Sequence, residues 1–181
     1  MAYFNNFPKI VYNGITSRNI LLKASIISEV FNSKGNFYNY IIQDGYRPDM
    51  VANDVYKDPK YDWVVYFSNY VVDPYYEWPL STDDLNKFLT KKYGKTVYEI
   101  MSTVSHYEYT GINSDTKQDI ARKSWKMSID THSSLSVQDL AGWSPVYIYD
   151  YETRLNDAKR SIQLLSPSYL IQIEKELSKI F

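Results

Sequence analysis

The chain contains no cysteine, which excludes a disulfide framework and a thiol nucleophile. Histidine is nearly as scarce. His106 and His132 are the only two, and no His-Glu-x-x-His spacing offers a zinc site. No acidic loop has the spacing of a calcium site. An excess of either charge sign is missing as well. Lysine and arginine number 20 against 21 acids, a net charge of −1, so no basic face is available to grip a nucleic acid. The densest basic group, Lys91-Lys92 with Lys95, reads as a solvated helix end. Apolar runs extend only a few residues, far short of the roughly 20 that a spanning helix needs. The opening Met-Ala-Tyr-Phe-Asn-Asn lacks the positive start and long apolar stretch of an export signal. The expectation is a chain made in a reducing cytoplasm, without nucleic acid, membrane or cofactor.

Motifs of catalysis are missing too. Gly94-Lys95-Thr96 resembles the tail of a phosphate-binding loop, but the glycine needed five positions earlier is Leu89. Gly94 therefore reads as a helix C-terminal cap. No Gly-x-Ser-x-Gly elbow occurs. Asp83-Asp84 sits at a helix start, where carboxylates complement the helix dipole. His106 lies in a strand-like run and reads as a structural side chain, and His132 lies in a polar stretch and reads as solvated. The sequence predicts no enzyme, with catalytic and metal-binding residues none.

Aromatic side chains are abundant: 19 tyrosines and four tryptophans. Such side chains suit protein interfaces, because a large apolar body carries a polar tip. Codon bias would give the same richness, since Asn, Ile and Lys are abundant too.

The pattern along the chain predicts an α+β fold in four segments. Residues 1–34 read as an N-terminal arm, bracketed by turns at Asn13-Gly14 and Ser33–Asn36, with Ile26, Ile27, Val30 and Phe31 on one short helical face. Residues 35–110 read as a compact core with a following helix and strand. Phe37 to Ile42 is a strand. Pro48 opens a helix in which Val51 and Val55 share a face. Asp58-Pro59 breaks it and opens a second helix, with Trp63, Val64 and Phe67 as its apolar face. Val51, Val55, Trp63, Val64 and Phe67 are thus the expected core. Glu77-Trp78-Pro79-Leu80 is the expected closing strand. Ser81 or Thr82 caps a helix with a buried stripe of Leu85, Phe88 and Leu89, and Thr96 to Tyr109 reads as strand. Residues 111–145 read as a polar loop region. Residues 146–181 read as Val146–Tyr151 and Arg160–Leu165 in strands, then an amphipathic helix from Ser166-Pro167 with Leu170, Ile173, Leu177 and Ile180 on one seam. Asp-Pro-x-Tyr occurs at Asp58–Tyr61 and Asp73–Tyr76, and reads as two similar turns.

One resemblance is specific. Gly45, Arg47-Pro48, Ala52, Val55-Tyr56, Pro59, Tyr61, Trp63-Val64, Asn69, Asp73-Pro74-Tyr75-Tyr76 and Trp78 resemble the LysM-like core of a baseplate wedge subunit from contractile-tailed, T4-like bacteriophages. Glu152, Asn156, Arg160 and Ile162 continue the likeness more weakly, as does Phe4 to Tyr12. It covers most of the chain and is specific over about forty residues. The resemblance implies a small strand–helix–helix–strand core, an extended N-terminal arm and a C-terminal strand and helix extension. It also implies a structural subunit of a virion tail baseplate that joins adjacent wedges. The implied partners are wedge core subunits and a lysozyme-like sheath-initiating subunit, with multiple copies in a six-fold assembly. Tyr75, Tyr76, Trp78, Ile26, Ile27, Phe31, Leu170, Ile173 and Leu177 are the candidate interface. The alternative is a LysM-type module that binds peptidoglycan or a related glycan.

Overall fold

A computed structural model describes residues 7–20, 35–111 and 125–180, with no side chains described for 176–180. The fold is α+β and divides into two compact units, 1–79 with 159–181, and 80–158. These units cut across the segments drawn from sequence, because the first unit closes by pairing strands from opposite ends of the chain.

In the first unit, β1 (Lys9–Tyr12) and β2 (Ile15–Arg18) form an antiparallel hairpin. Asn13 and Gly14 both have positive φ, at 50° and 76°, as a two-residue turn matched to strand twist requires. β3 (Phe37–Ile41) follows, then α1 (Pro48–Tyr56). Pro48 opens α1, with Asp49 in its first turn bound to Arg47 at 2.6 Å. A short 3-10 turn (Pro59–Tyr61) leads into α2 (Asp62–Ser68), and α3 (Pro74–Glu77) is a single turn. The two Asp-Pro-x-Tyr turns are built alike. Asp58 accepts the Lys60 N–H and Asp73 the Tyr75 N–H, each at 3.0 Å.

The closing strand is not Glu77–Leu80 as expected, but β7 (Ser161–Leu165), antiparallel to β3. Locally, the Glu77 carboxylate accepts the Val72 and Asp73 N–H groups and ends α3, so Glu77 belongs to a helical turn. Trp78 drops into the core, where its indole N–H donates to the Tyr46 carbonyl at 2.8 Å. Nor does Arg160–Leu165 pair with 146–151, since its partner is β3. A 3-10 turn (Pro167–Tyr169) then opens α8 (Leu170–Ile180). The core of this unit holds Ile42, Val51, Ala52, Tyr56, Trp63, Val64, Val65, Trp78, Ile162, Leu164, Leu165 and Leu170. Val55, Phe67 and Ile173 pack against it partly buried.

The second unit runs through α4 (Thr82–Tyr93), α5 (Val97–Ser102), β4 (Val104–Tyr109), β5 (Lys126–Met127), α6 (Ile129–Ser134), β6 (Trp143–Tyr147) and α7 (Ile148–Asp157). Its sheet has the order β5-β4-β6, all antiparallel. Gly94 caps α4 in the left-handed conformation (φ 63°), and its N–H reaches the Thr90 carbonyl. Leu85, Leu89, Ile100 and Ile148 form the core. Phe88 is not part of the buried stripe. It is exposed, with the Lys92 ammonium 5.5 Å from its ring centroid.

Three further expectations are corrected here. Thr96 does not start a strand; it caps α5 in a capping box with Glu99. Ile148–Tyr151 is helical, because Ile148, Glu152 and Asn156 form the buried face of α7. The polar region after 125 is not unstructured loop, since it contains β5 and α6.

Candidate interface

Among the described residues of the first unit, the turn from Asn69 to Glu77 presents the most exposed aromatic surface. Tyr75 is 90% and Tyr76 74% exposed, with Tyr70 and Val72 exposed beside them. Hydrophobic side chains in such positions are held there by polar locks beneath. Glu77 binds two backbone N–H groups, and those bonds, that to Asp73 first, hold its carboxyl below the usual range. Asp73 caps α3, and the Lys159 ammonium donates to the Tyr76 carbonyl at 2.5 Å. Tyr70 has φ 54°, a conformation costly for a bulky residue. Such strain persists only where surrounding contacts over-determine it, and it clusters at functional sites.

The Tyr70 N–H on the Phe67 carbonyl and the Val71 N–H on the Tyr66 carbonyl supply that constraint, as a left-handed helix cap. The turn is tied to β7 by Asn69. Its side-chain N–H groups donate to the Val65 and Gln163 carbonyls, and its oxygen accepts the Gln163 N–H, all at 2.8 Å. The amide thus serves as a one-residue strand along the outer edge of β7. Asn156 does the same in the second unit, bonding the Leu80 N–H at 2.8 Å and the Leu80 carbonyl at 2.9 Å. Arg160 reaches Asp44 at 2.7 Å. Glu152 accepts from Lys92 at 2.7 Å and from the Tyr93 hydroxyl at 2.6 Å. Four residues that carry the family likeness are therefore brackets for backbone or buried charge. Nothing in the local sequence singles them out, since Glu152 lies between Asp150 and Arg154 and Arg160 follows Lys159.

The other expected interface residues fall in different places. Trp78 is only 8% exposed and belongs to the core rather than a surface. Leu170 is buried too, and Ile173 is half-buried against the same core. Ile26, Ile27 and Phe31 lie outside the described residues, as does the side chain of Leu177.

A groove of about 270 Å³ in the first unit is lined by Tyr46, Asp49, Met50, Asn53, Asp54 and Pro59. In the second unit, Glu108 gathers the strongest charge cluster. Arg154 binds it through two nitrogens at 2.9 and 3.2 Å, His106 bonds it at 3.0 Å, and Lys126 lies at 3.8 Å. The Arg154 and His106 hydrogen bonds lower its pKa to about 2, against opposing desolvation. The His106 ring lies edge-on to Tyr151. His132 is not simply solvated: it stacks on Tyr107 with ring centroids 3.5 Å apart. Among the described residues no group of three His, Asp or Glu could hold a metal ion. No helix there is long and apolar enough to cross a membrane.

The described residues form an α+β scaffold whose polar side chains bind backbone groups and which holds two tyrosines outward on a turn. The model of the phage family described as base plate wedge protein 53 matches residues 7–180, and the chain belongs to that family. It is a structural protein of the virion's tail baseplate. No curated protein matches the chain.

Proposed function

We propose that this protein joins adjacent wedges of the baseplate through protein–protein contacts, with no catalytic role. Its partners in this reading are wedge core subunits and a lysozyme-like sheath-initiating subunit, and several copies enter a six-fold assembly. The locked turn that presents Tyr75 and Tyr76 carries the proposal. Rigid aromatic side chains make large contact area at low entropic cost, so a turn that holds them in solvent is suited to a partner. The order β3, α1, α2, β7 supports a LysM-like unit serving as the scaffold for that turn.

The test is reconstitution of baseplates with a Tyr75→Ser/Tyr76→Ser chain. The variant keeps its thermal midpoint, because both rings are exposed, yet sedimentation finds single wedges in place of closed baseplates. Closure at the wild-type yield removes the reading.

A second reading is binding of an amino-sugar polymer, favoured by the groove with its tyrosine, asparagine and two aspartates. Saturable binding of the chain to purified peptidoglycan, abolished by Asn53→Ala, would promote it above wedge joining.

A further inference from the structure

The two outer edges of the β3–β7 sheet differ in their cover. The ladder is bracketed by the Ile42 N–H on the Arg160 carbonyl and the Ser166 N–H on the Asn36 carbonyl. In an antiparallel pair the hydrogen-bonded positions alternate, so residues 38 and 40 also point their N–H and C=O groups at β7. Asn39 and Ile41 then point theirs outward from β3, and Gln163 and Leu165 theirs outward from β7. On the β7 side both Gln163 groups and the Leu165 carbonyl are covered. Asn69 takes both groups of Gln163, and the Tyr56 hydroxyl donates to the Leu165 carbonyl at 2.9 Å.

The β3 side carries no such cover at Asn39 and Ile41 among the described residues. Ile41 is 73% exposed. The strand reads Phe-Tyr-Asn-Tyr-Ile, without the lysine, proline or bulge by which proteins ordinarily blunt an edge. An unblunted edge of this kind is a template for another extended chain.

The chemistry beside that edge selects the occupant. Tyr38 and Tyr40 pair with buried Leu164 and Ile162, so they face the side that carries the helices. The field of the Asp54 carboxylate reaches the Tyr40 hydroxyl. Asp49 and Asp54 line the groove together with Tyr46. Arg47 is engaged by Asp49, and Lys57 gives its ammonium to the Asp54 carbonyl, 2.7 Å away. The Asp54 carboxylate has no ion-pair partner among the described residues.

We propose that β3 is a strand-addition site: an extended segment of a neighbouring baseplate subunit pairs with Asn39 and Ile41 and sets a lysine or arginine against Asp54. The proposal rests on the wedge-joining reading, because it needs this chain held among other subunits. Main-chain pairing supplies the affinity, and the carboxylate selects a basic side chain on the helix-facing side of the added strand.

Amide hydrogen exchange on the free chain and on assembled baseplates tests it. The Asn39 and Ile41 amides exchange fast in the free chain, and about 100-fold more slowly once assembled. Fast exchange in both states overturns the site. Protection already present in the dilute free chain assigns the edge to this chain itself, and protection that grows with free-chain concentration assigns it to a second copy. Either result also overturns the proposal. Asn39→Pro is the matching variant. It removes an outward donor and spares the β3–β7 ladder, so it leaves the thermal midpoint in place and lowers incorporation about tenfold. Asp54→Lys lowers incorporation as well, by repelling the basic side chain. If both variants incorporate normally while the Tyr75→Ser/Tyr76→Ser chain blocks closure, strand addition fails and wedge joining stands. If all three assemble normally, the wedge-joining reading has failed.

Discussion

The two units solve the same problem with different materials. The first buries an apolar core fed by β3, α1, α2, β7 and α8, and its long-range polar contacts are largely to backbone: Asn69 to Gln163, Trp78 to Tyr46, Tyr56 to Leu165. Among the described residues the second has Leu85, Leu89, Ile100 and Ile148 as its buried apolar cluster, and ties its elements with charge. Glu152 on α7 binds Lys92 and Tyr93 on α4, and Arg154 on α7 binds Glu108 on β4. Apolar burial involves no titrating group and no charge to screen, whereas charge-assisted bonds are screened by salt and titrated by pH. The lesson is that a single short chain carries one unit held chiefly by apolar burial and one whose elements are tied together by charge.

The largest expected effect lies in the first unit. Leu164 is fully buried, and Leu164→Ala should cost about 2–5 kcal/mol through lost transfer energy and a residual cavity. Urea unfolding followed at first-unit amides should show this loss unchanged between low and high salt. A loss under about 1 kcal/mol would mean the core can collapse around the gap, and the contrast between the units would weaken.

A smaller effect belongs to the second unit. Glu108 has a folded pKa lowered to about 2 from 4.5. A depressed carboxylate contributes stability that is present above its unfolded pKa and lost as pH falls through the folded one. The window is therefore pH 4.5 down to about 2. With Arg154 half exposed to solvent, the loss should be about 1–2 kcal/mol. Denaturation at pH 5 and pH 2.5 measures it, and Glu108→Gln should flatten the difference. Persistence of the full pH dependence in that variant would assign it to another group.

How much of this was legible in the sequence depended on the range of the interaction. Pro48, Asp58-Pro59 and Gly94 act on their own turns, and the helices start and stop where those residues indicate. The partner of β3 lies more than 100 residues away, as the Tyr40–Ile162 pair shows, and nothing local in either strand names the other. Helix α7 was hidden for a different reason. Its buried face is Ile148, Glu152 and Asn156, so two of the three inward residues are polar and break the apolar period. The capping box at Thr96 and Glu99 was readable from spacing alone, yet the β-rich composition that follows it points to strand. For the interface, aromatic richness pointed to Tyr75, Tyr76 and Trp78 alike. Only packing separates them, because the Trp78 indole has a carbonyl to meet inside.

The smallest effect sharpens the comparison by reversing its sign. Asp62, in the first turn of α2, accepts the Trp63 N–H at 2.8 Å, and its pKa is raised, chiefly by burial. A carboxyl of this kind contributes stability that is present below its unfolded pKa and lost as pH rises through the folded one. At neutral pH the first unit therefore bears a partly buried charge that it would hold more readily without. Asp62→Asn keeps an oxygen for the Trp63 N–H and removes the charge. It also gives up a favourable interaction with the helix dipole, which leaves a net gain within about 0.5 kcal/mol. The gain should appear at pH 7 and vanish at pH 3, where the native carboxyl is protonated, opposite to the behaviour of Glu108. Urea midpoints of the two chains at those two pH values decide it. A variant less stable at pH 7 would mean that the dipole outweighs burial, and the first unit would then share the second unit's dependence on charge.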